Sequence, residues 1–207
     1  MAAQVAGAVM TTNRSTEEFE MREAISAWGR SRWPDARLVH ELVVAQVCRV
    51  DMAFIGPDYI VGVEIKSSRD TLERLDQQFR VFREHLSAVV FAVAPKWSEE
   101  CGRRGVHPII AVSGGVVEAS FFDSRLDRTI TSQMLRLLWA DEARRIAGRM
   151  RISASIRDPL YKLLPLLAQG LTGREIVTEV CRELRGRDAF PRTCGHPESD
   201  APVQVAS

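Results

Sequence analysis

The sequence predicts an α/β protein with a mixed central sheet, and the order of its apolar segments carries this prediction. Two segments rich in β-branched and aromatic residues, Val50–Ile55 and Tyr59–Lys66, flank a Gly-Pro-Asp turn and predict a β-hairpin. An amphipathic helix is expected after the hairpin, followed by a buried strand at Ala88–Ala94. Two more strands are expected at Pro108–Val112 and Val116–Phe121, paired across a Ser-Gly-Gly turn.

The helices and the remaining strands of this core are expected on local signals. Ser15 is a favourable N-cap with a glutamate three residues later, and Gly29 is a favourable C-cap for the same first helix. The segment Leu38–Val50 is rich in Val and Leu and predicts one or two strands. Asp70 is expected to begin the second helix, whose apolar residues recur at intervals of three and four. These apolar residues are Leu72, Leu75, Phe79, Phe82 and Leu86.

The C-terminal third of the chain predicts helices. Residues 133–150 and 160–167 have helical patterns, and a capping box at Thr172–Glu175 predicts a third helix through Leu184. The region around residues 170–176 also has a weak similarity to the entry of a helix-turn-helix, but a packing role is the favoured interpretation.

These patterns divide the chain into four parts. Residues 1–14 are expected to be a flexible leader and residues 15–125 the α/β core. Residues 126–185 are expected to be a helical extension and residues 186–207 a disordered tail.

Composition places the chain among ordinary soluble proteins. The net charge is +1, with 45% hydrophobic and 27% charged residues, and no apolar stretch approaches the length of a membrane span. The four cysteines form no CxxC pair, which argues against a zinc ribbon and favours a reducing compartment. We therefore expect a cytoplasmic protein without a membrane partner. Arginines are interleaved with acidic residues, so none is assigned to DNA.

The predicted hairpin brings charged residues together. With the turn centred between residues 57 and 58, opposed residue numbers sum to 115, so Asp51 lies opposite Glu64 with Cβ atoms about 5 Å apart. Lys66 emerges on the same face as Glu64 because side chains alternate along a strand. This face also holds Ala53 and Gly62 and is expected to leave open space above the carboxylates. The opposite face is expected to be core and holds Val50, Met52, Phe54, Val61, Val63 and Ile65.

Two opposed carboxylates repel each other, and a hard divalent cation such as Mg²⁺ or Mn²⁺ relieves that repulsion. Beside such a cation, Lys66 would orient an attacking water or neutralise a phosphate, which indicates hydrolysis of a phosphodiester. The alternative is a solvated salt bridge on the hairpin surface, worth less than about 1 kcal/mol.

The segments Asp51–Ile55 and Val63–Ser67 resemble the core motif of the PD-(D/E)xK nucleases, and the acidic, glutamine-bearing segment Asp70–Gln78 extends this resemblance. The similarity is to small bacterial members, often tied to phage, that share segments like His40-Glu41-Leu42 and Leu137–Glu142. It implies a restriction-endonuclease-like mixed sheet flanked by helices, with a C-terminal helical extension. The substrate we expect from it is DNA, although the sequence does not distinguish DNA from RNA.

Site residues follow from the resemblance position by position. Asp51 and Glu64 match the metal-binding acids, Lys66 the catalytic lysine and Gln78 the glutamine of the following helix. Glu41 matches an upstream acid that completes the metal shell.

Two points stay open within this match. Glu23 on the first helix is the rival for the upstream acid, and we favour Glu41. The motif's proline is replaced by Val50, at a position that varies in such enzymes.

Three hypotheses remain open from the sequence. The first is a metal-dependent DNA nuclease, with a homodimer possible if both strands are cut. The second is a catalytically inactive nuclease-fold protein that binds nucleic acid or a protein partner. The third is an unrelated α/β domain with a surface ion pair.

Overall fold

Six strands form one mixed sheet in the structure, a computed structural model that describes residues 16–118 and 132–188. They are β1 (Arg37–Val44), β2 (Cys48–Ile55), β3 (Ile60–Lys66), β4 (Ala88–Val93), β5 (Ile109–Ser113) and β6 (Val116–Glu118). The strands lie side by side in chain order. Strands β1, β2 and β3 pair antiparallel, β3, β4 and β5 pair parallel, and β5 and β6 pair antiparallel. The predicted mixed sheet is therefore confirmed.

Six α-helices flank this sheet in the described part of the chain. They are α1 (Thr16–Arg32), α2 (Leu75–His85), α3 (Ser98–Arg103), α4 (Ala140–Arg149), α5 (Leu160–Gly170) and α6 (Gly173–Gly186). Short 3₁₀ helices lie at Pro95–Trp97 and Ser132–Leu137. Helix α3 was not expected from the sequence. The capping box that predicted α6 is present, because Thr172 and Glu175 bond each other's side chain and backbone.

The two faces of the sheet have separate hydrophobic clusters. Helix α1 covers one face, where Met21 and Ile25 belong to one cluster with Phe54 and Val63. Helix α2 and the C-terminal helices cover the other face, and their buried residues form a second cluster with the sheet. That cluster includes Val50, Phe82, Ile146, Leu163 and Val180. Helices α4 to α6 are therefore packed against the same sheet as α2.

Ion pairs also hold the C-terminal helices together. Arg145 of α4 pairs with Glu183 of α6 at 2.6 Å, and Arg149 pairs with Glu179 and Glu183 at the same distance. Both glutamates are nearly buried, so the arginines neutralise carboxylates that have lost most of their water. This geometry supports the packing interpretation of these helices.

The hairpin of β1 and β2 answers whether Leu38–Val50 holds one or two strands. The chain turns at Ala45 and Gln46, which both have positive φ angles, 51° and 58°. Tight hairpin turns require such angles and usually place Gly or Asn there. The sequence offers neither residue, which is why the turn was not recognised.

The first helix continues to Arg32, so the expected end at Gly29 is wrong. The Gly29 carbonyl accepts a hydrogen bond from Trp33 N at 2.8 Å, which keeps this residue inside helical geometry. The absence of a side chain at Gly29 instead lets the helix pack closely against the sheet. A Cβ at Gly29 would lie 2.0 Å from Cζ of Phe54 on the sheet.

The second helix begins at Leu75, so its expected start at Asp70 is also wrong. The carboxylate of Asp70 accepts hydrogen bonds from the backbone N and hydroxyl of Ser67, at 2.7 Å and 2.6 Å, and closes a turn after β3. An aspartate used in this way cannot cap a helix. Leu72 is buried within the connection, before the helix starts.

Residues 133–150 do not form the continuous helix that was expected. A 3₁₀ helix ends at Leu137, and α4 starts afresh at Ala140. The Glu142 carboxylate accepts the Trp139 backbone N–H at 2.7 Å and pairs with Arg187 at 2.6 Å. This buried, charge-assisted cap stabilises a new helix start inside a periodic pattern.

Some expectations lie outside the described residues. They concern the leader, the N-cap Ser15, the end of the β6 segment at residues 119–121, the boundary expected at residues 125 and 126, and the tail from residue 189. The tail was expected to start at residue 186, but Gly186 ends α6 and Arg187 is buried and paired with Glu142. Among the helices of the described ranges, none combines the length and apolarity that a membrane crossing requires.

Substituting Gly29→Ala should destabilise the protein by about 1–3 kcal/mol, since the new methyl overlaps the Phe54 ring and forces the helix and sheet apart. Gly148→Ala is the matched control, because Gly148 also lies within a helix but has nothing within 4 Å of its built Cβ. Urea unfolding of both variants measures the difference. Equal stabilities for the two variants would contradict this packing argument.

Candidate functional site

The β2–β3 hairpin has the predicted register up to the point where the site begins. Met52 pairs with Val63, so paired residue numbers sum to 115, but the ladder stops there. The predicted pair of Asp51 with Glu64 is therefore not part of the ladder. The Asp51 carboxylate instead accepts the backbone N–H of Ile65 on its Oδ2 at 2.8 Å, and its charge acts on Glu64. A side chain thus replaces the strand-to-strand hydrogen bond, and Asp51 lies at the fork where the two strands separate.

Beside this fork, three side chains form a closed hydrogen-bonded ring. The Nζ of Lys66 donates to Oε1 of Glu64 and to Oε1 of Gln78, both at 2.9 Å. The Nε2 of Gln78 donates to the same Glu64 oxygen at 2.5 Å. Gln78, which the resemblance matches to the glutamine of the following helix, thus contacts both the acid and the lysine of β3. Each member of the ring fixes the position of the other two.

A second cluster surrounds Asp51 on the side of α1. The Nη2 of Arg22 contacts Oδ1 of Asp51 at 2.8 Å and Oε1 of Glu41 at 3.2 Å, so it bridges the two acids. Its Nη1 donates to the Asp51 carbonyl at 3.1 Å, and its Nε donates to Glu18 at 3.1 Å. The second oxygen of Glu41 pairs with Nε of Arg49 at 2.5 Å. Glu41 thus meets Asp51 through a shared guanidinium.

The backbone is irregular where these acids lie. Val39 and Leu42 share a hydrophobic cluster although residues three apart in a regular strand face opposite ways. Between them Glu41 has φ of 61°, a left-handed conformation that is uncommon outside glycine. The neighbouring strand changes faces as well, because Val50 and Met52 lie in different clusters. The expectation that Val50 shares the face of Met52 is therefore wrong.

The expected open space above the acids is also wrong on the side of α2. Glu64 and Lys66 are only 4% and 6% exposed, and the side chain of Leu86 fills the space over Gly62. The accessible side is that of Asp51, whose side chain is 24% exposed. Alternation alone does not predict burial here, because α2 packs directly onto the polar face.

Burial and like charge change the acidity of both central acids. Burial, reinforced by the charge of Asp51, raises the pKa of Glu64 to about 7, against the opposing effects of Lys66 and Gln78. Burial likewise raises the pKa of Asp51, while Arg22 and the Ile65 N–H act in the opposite direction. Perturbed carboxylates of this kind concentrate at functional sites.

The donor set fits a hard divalent cation in its chemistry. The Oε2 atom of Glu64 is buried and has no hydrogen-bond partner, which leaves an oxygen able to accept a metal ion. Within residues 16–118 and 132–188, however, no three acidic, His or Cys side chains converge as a ready-made cage. Arg22 bridges Glu41 and Asp51 instead. The rival acid Glu23 is exposed on α1 and has no part in this cluster.

Arg22 is the residue that the sequence analysis missed. A signal was available, because Arg22 lies between Met21 and Ile25 on the buried face of α1. A charged residue on an apolar helix face needs an opposite charge nearby, and the two acids supply it. The contact spans 29 residues of sequence, so no local pattern identifies the partner.

These observations define an α/β protein with a buried cluster of acids and an amine at a strand fork. Comparisons with known proteins then show which family it is related to. Protein cII of Enterobacteria phage P4 is 32% identical over 103 residues, which cover 49% of this chain and 37% of the phage protein. A protein of unknown function from Silicibacter pomeroyi, with known structure, is 19% identical, with a TM-score of 0.39 over 71% of this chain and all of that one.

The family model described as Bacteriophage P4 protein cII matches residues 11–133, and the chain belongs to that family. The matched range includes every candidate site residue and Arg22, and it ends before α4. The family's name states no chemical activity, so the function has to be argued from the site.

The pKa of Glu64 makes stability depend on pH. Its folded value of about 7 exceeds the usual 4.5, so the folded state holds an extra proton between these values and loses stability as pH rises through that window. In chelator, Glu64→Gln should therefore gain on the order of 3 kcal/mol relative to the native protein between pH 5 and pH 8. Urea unfolding across this range measures the gain.

Glu175→Gln is the control for this measurement. Hydrogen bonds from Thr172 lower the pKa of Glu175, so its carboxylate is ionised in both states above pH 5. Its stability difference from the native protein should stay constant over the same range. A Glu64→Gln difference that is equally flat would contradict the raised pKa of Glu64.

Proposed function

We propose that this chain is a metal-dependent nuclease of the PD-(D/E)xK kind that hydrolyses phosphodiester bonds in DNA. The observation that carries the proposal is the convergence of four separated residues. Asp51 lies at the strand fork, bonded to the Ile65 N–H and close enough for its charge to act on Glu64, while Lys66 and Gln78 are hydrogen-bonded to the Glu64 carboxylate. A surface ion pair does not require this burial or the third partner from α2.

The arrangement of the sheet supports a restriction-endonuclease-like fold. An antiparallel hairpin leads into a parallel pair, β3 and β4, whose connection includes α2. That connection places the glutamine of α2 over the charged end of β3. Helix α1 covers the opposite face and reaches the same edge through Arg22. Membership of a family named after a phage protein agrees with a phage-associated role.

Each residue of the site then has a role. Asp51 and Glu64 would hold Mg²⁺ or Mn²⁺, with Glu41 completing the set from β1. Such an ion supplies charge neutralisation of the phosphate and lowers the pKa of a bound water. Lys66 orients the attacking water or stabilises negative charge on the phosphate. Gln78 positions the Lys66 amine through its carbonyl oxygen.

In a cleavage assay on labelled single-stranded, duplex and branched DNA, we expect activity with Mg²⁺ or Mn²⁺ that chelator abolishes. Asp51→Asn and Lys66→Ala should each reduce the rate at least about a hundredfold, because each removes a group acting on the metal or the water. Lys162→Ala is the matched control, since this exposed lysine lies on α5. Undiminished cleavage by either site variant would overturn the assignment.

The same assay separates the two candidate upstream acids. Glu41→Gln should weaken metal-dependent cleavage, because Glu41 contacts the same Arg22 nitrogen as Asp51 and would complete the metal set beside it. Glu23→Gln should leave the rate unchanged, because Glu23 is exposed. A loss of cleavage in Glu23→Gln but not in Glu41→Gln would show that Glu23 of α1 is the upstream acid.

A second candidate function is a catalytically inactive protein of the same fold that binds nucleic acid or a protein partner. The bridging of Glu41 and Asp51 by Arg22 favours it, since these acids need no metal to be neutralised. In that case fluorescence anisotropy in the presence of chelator would detect DNA binding. The cleavage assay would show no product with Mg²⁺, with Mn²⁺ or with chelator. Binding that falls with increasing salt would indicate phosphate contacts.

A further inference from the structure

Arg22 is held more completely than a surface arginine. Its side chain is 6% exposed, and all three of its guanidinium nitrogens have partners. These partners are the Glu18 and Glu41 carboxylates together with both the carboxylate and the carbonyl of Asp51. A planar guanidinium suits this multidentate contact, and a buried one contributes a full positive charge in a region of low polarisability.

The bridged acids would otherwise destabilise the fold. Glu41 and Asp51 lie opposite each other on β1 and β2, at the one unpaired position between the paired residues on either side. Without a positive charge between them, the carboxylates of such a cross-strand pair would repel each other. Glu41 also keeps a left-handed backbone, which is unfavourable outside glycine and persists only if its surroundings compensate. A cation between them is therefore a structural requirement.

Arg22 and a divalent ion compete for the same oxygens. The Oδ1 of Asp51 and the Oε1 of Glu41 both bond Arg22, and a metal ion would need lone pairs of these same carboxylates. The Oε2 of Glu64 is different, because it is buried without a partner. Glu64 thus keeps one carboxylate oxygen without a partner, while Asp51 is paired with Arg22 and Glu41 with both Arg22 and Arg49.

We propose that Arg22 is an internal counter-ion that keeps the metal site closed until a divalent cation displaces it from Asp51 and Glu41. This inference rests on the proposed function, because it assigns regulation to the same metal site. Glu18, four residues earlier on α1, holds Nε of Arg22 and keeps the released guanidinium at the edge of the site.

The test is a titration of the full chain with Mn²⁺, followed by calorimetry and by the loss of the free-ion electron paramagnetic resonance signal. Arg22→Met should bind Mn²⁺ about tenfold more tightly than the native protein, because the competing charge is gone. Arg22→Lys should lie between them, since an ammonium keeps the charge but cannot bridge both acids with a planar fork.

Arg149→Met is the matched control. Arg149 also bridges two glutamates, Glu179 and Glu183, but joins α4 to α6 outside the site. Its Mn²⁺ affinity should equal that of the native protein. An equal gain in Arg149→Met would overturn the inference, because any pair of acids that loses its arginine would then explain the binding. Unchanged or weaker binding by Arg22→Met would overturn it as well.

Folding of the variant is controlled separately. If Arg22→Met is unfolded in chelator by circular dichroism, Mn²⁺ must restore its folded spectrum and raise its melting temperature more than that of the native protein. Failure of Mn²⁺ to restore the fold overturns the inference, since the metal then does not replace the arginine.

Two results separate this inference from the nuclease proposal. Tighter Mn²⁺ binding by Arg22→Met without DNA cleavage by any form supports the internal counter-ion and contradicts the nuclease. Metal-dependent cleavage by the native protein, without tighter Mn²⁺ binding by Arg22→Met, supports the nuclease and contradicts the internal counter-ion.

Discussion

The sharing of one guanidinium by two acids is the interaction on which the site depends. Arg22 joins α1 to β1 and β2 by contacting Glu41 and the carboxylate and carbonyl of Asp51. Without this charge, two carboxylates would face each other at the edge of a hydrophobic cluster. The kink in both strands and the left-handed backbone at Glu41 persist around this contact. The helix therefore helps to shape the site that it covers.

The second half of the site, on the side of α2, differs because one of its polar atoms has no partner. Glu64, Lys66 and Gln78 form a compact ring of hydrogen bonds between β3 and α2, and burial strengthens each bond. The ring satisfies one oxygen of Glu64 and leaves the other buried without a partner. Such an atom costs free energy unless a ligand uses it. Stability and function thus conflict at a single oxygen, which is typical of a binding site.

The remainder of the chain supports this edge. The two hydrophobic clusters fix the sheet between α1 and the helices of the other face, so residues far apart in sequence meet at the end of β3. The C-terminal helices contribute through packing and through arginines paired with nearly buried glutamates. Membership of the phage P4 cII family covers the sheet and the site but ends before α4. Helices α4 to α6 therefore lie outside the residues matched by the family model, although their side chains complete the hydrophobic core of this chain.

The sequence by itself determined the strands of the β2–β3 hairpin and their register from Met52 to Ile55, because period-two patterns and turn residues act locally. It misplaced the ends of helices where a capping residue had another use, as Asp70 does in the turn after β3. Only the tertiary structure decided that Arg22 bridges the acids, that Val50 changes faces and that Glu64 is buried. The physical reason is that charge pairing and burial depend on contacts between distant segments, which no local spacing encodes.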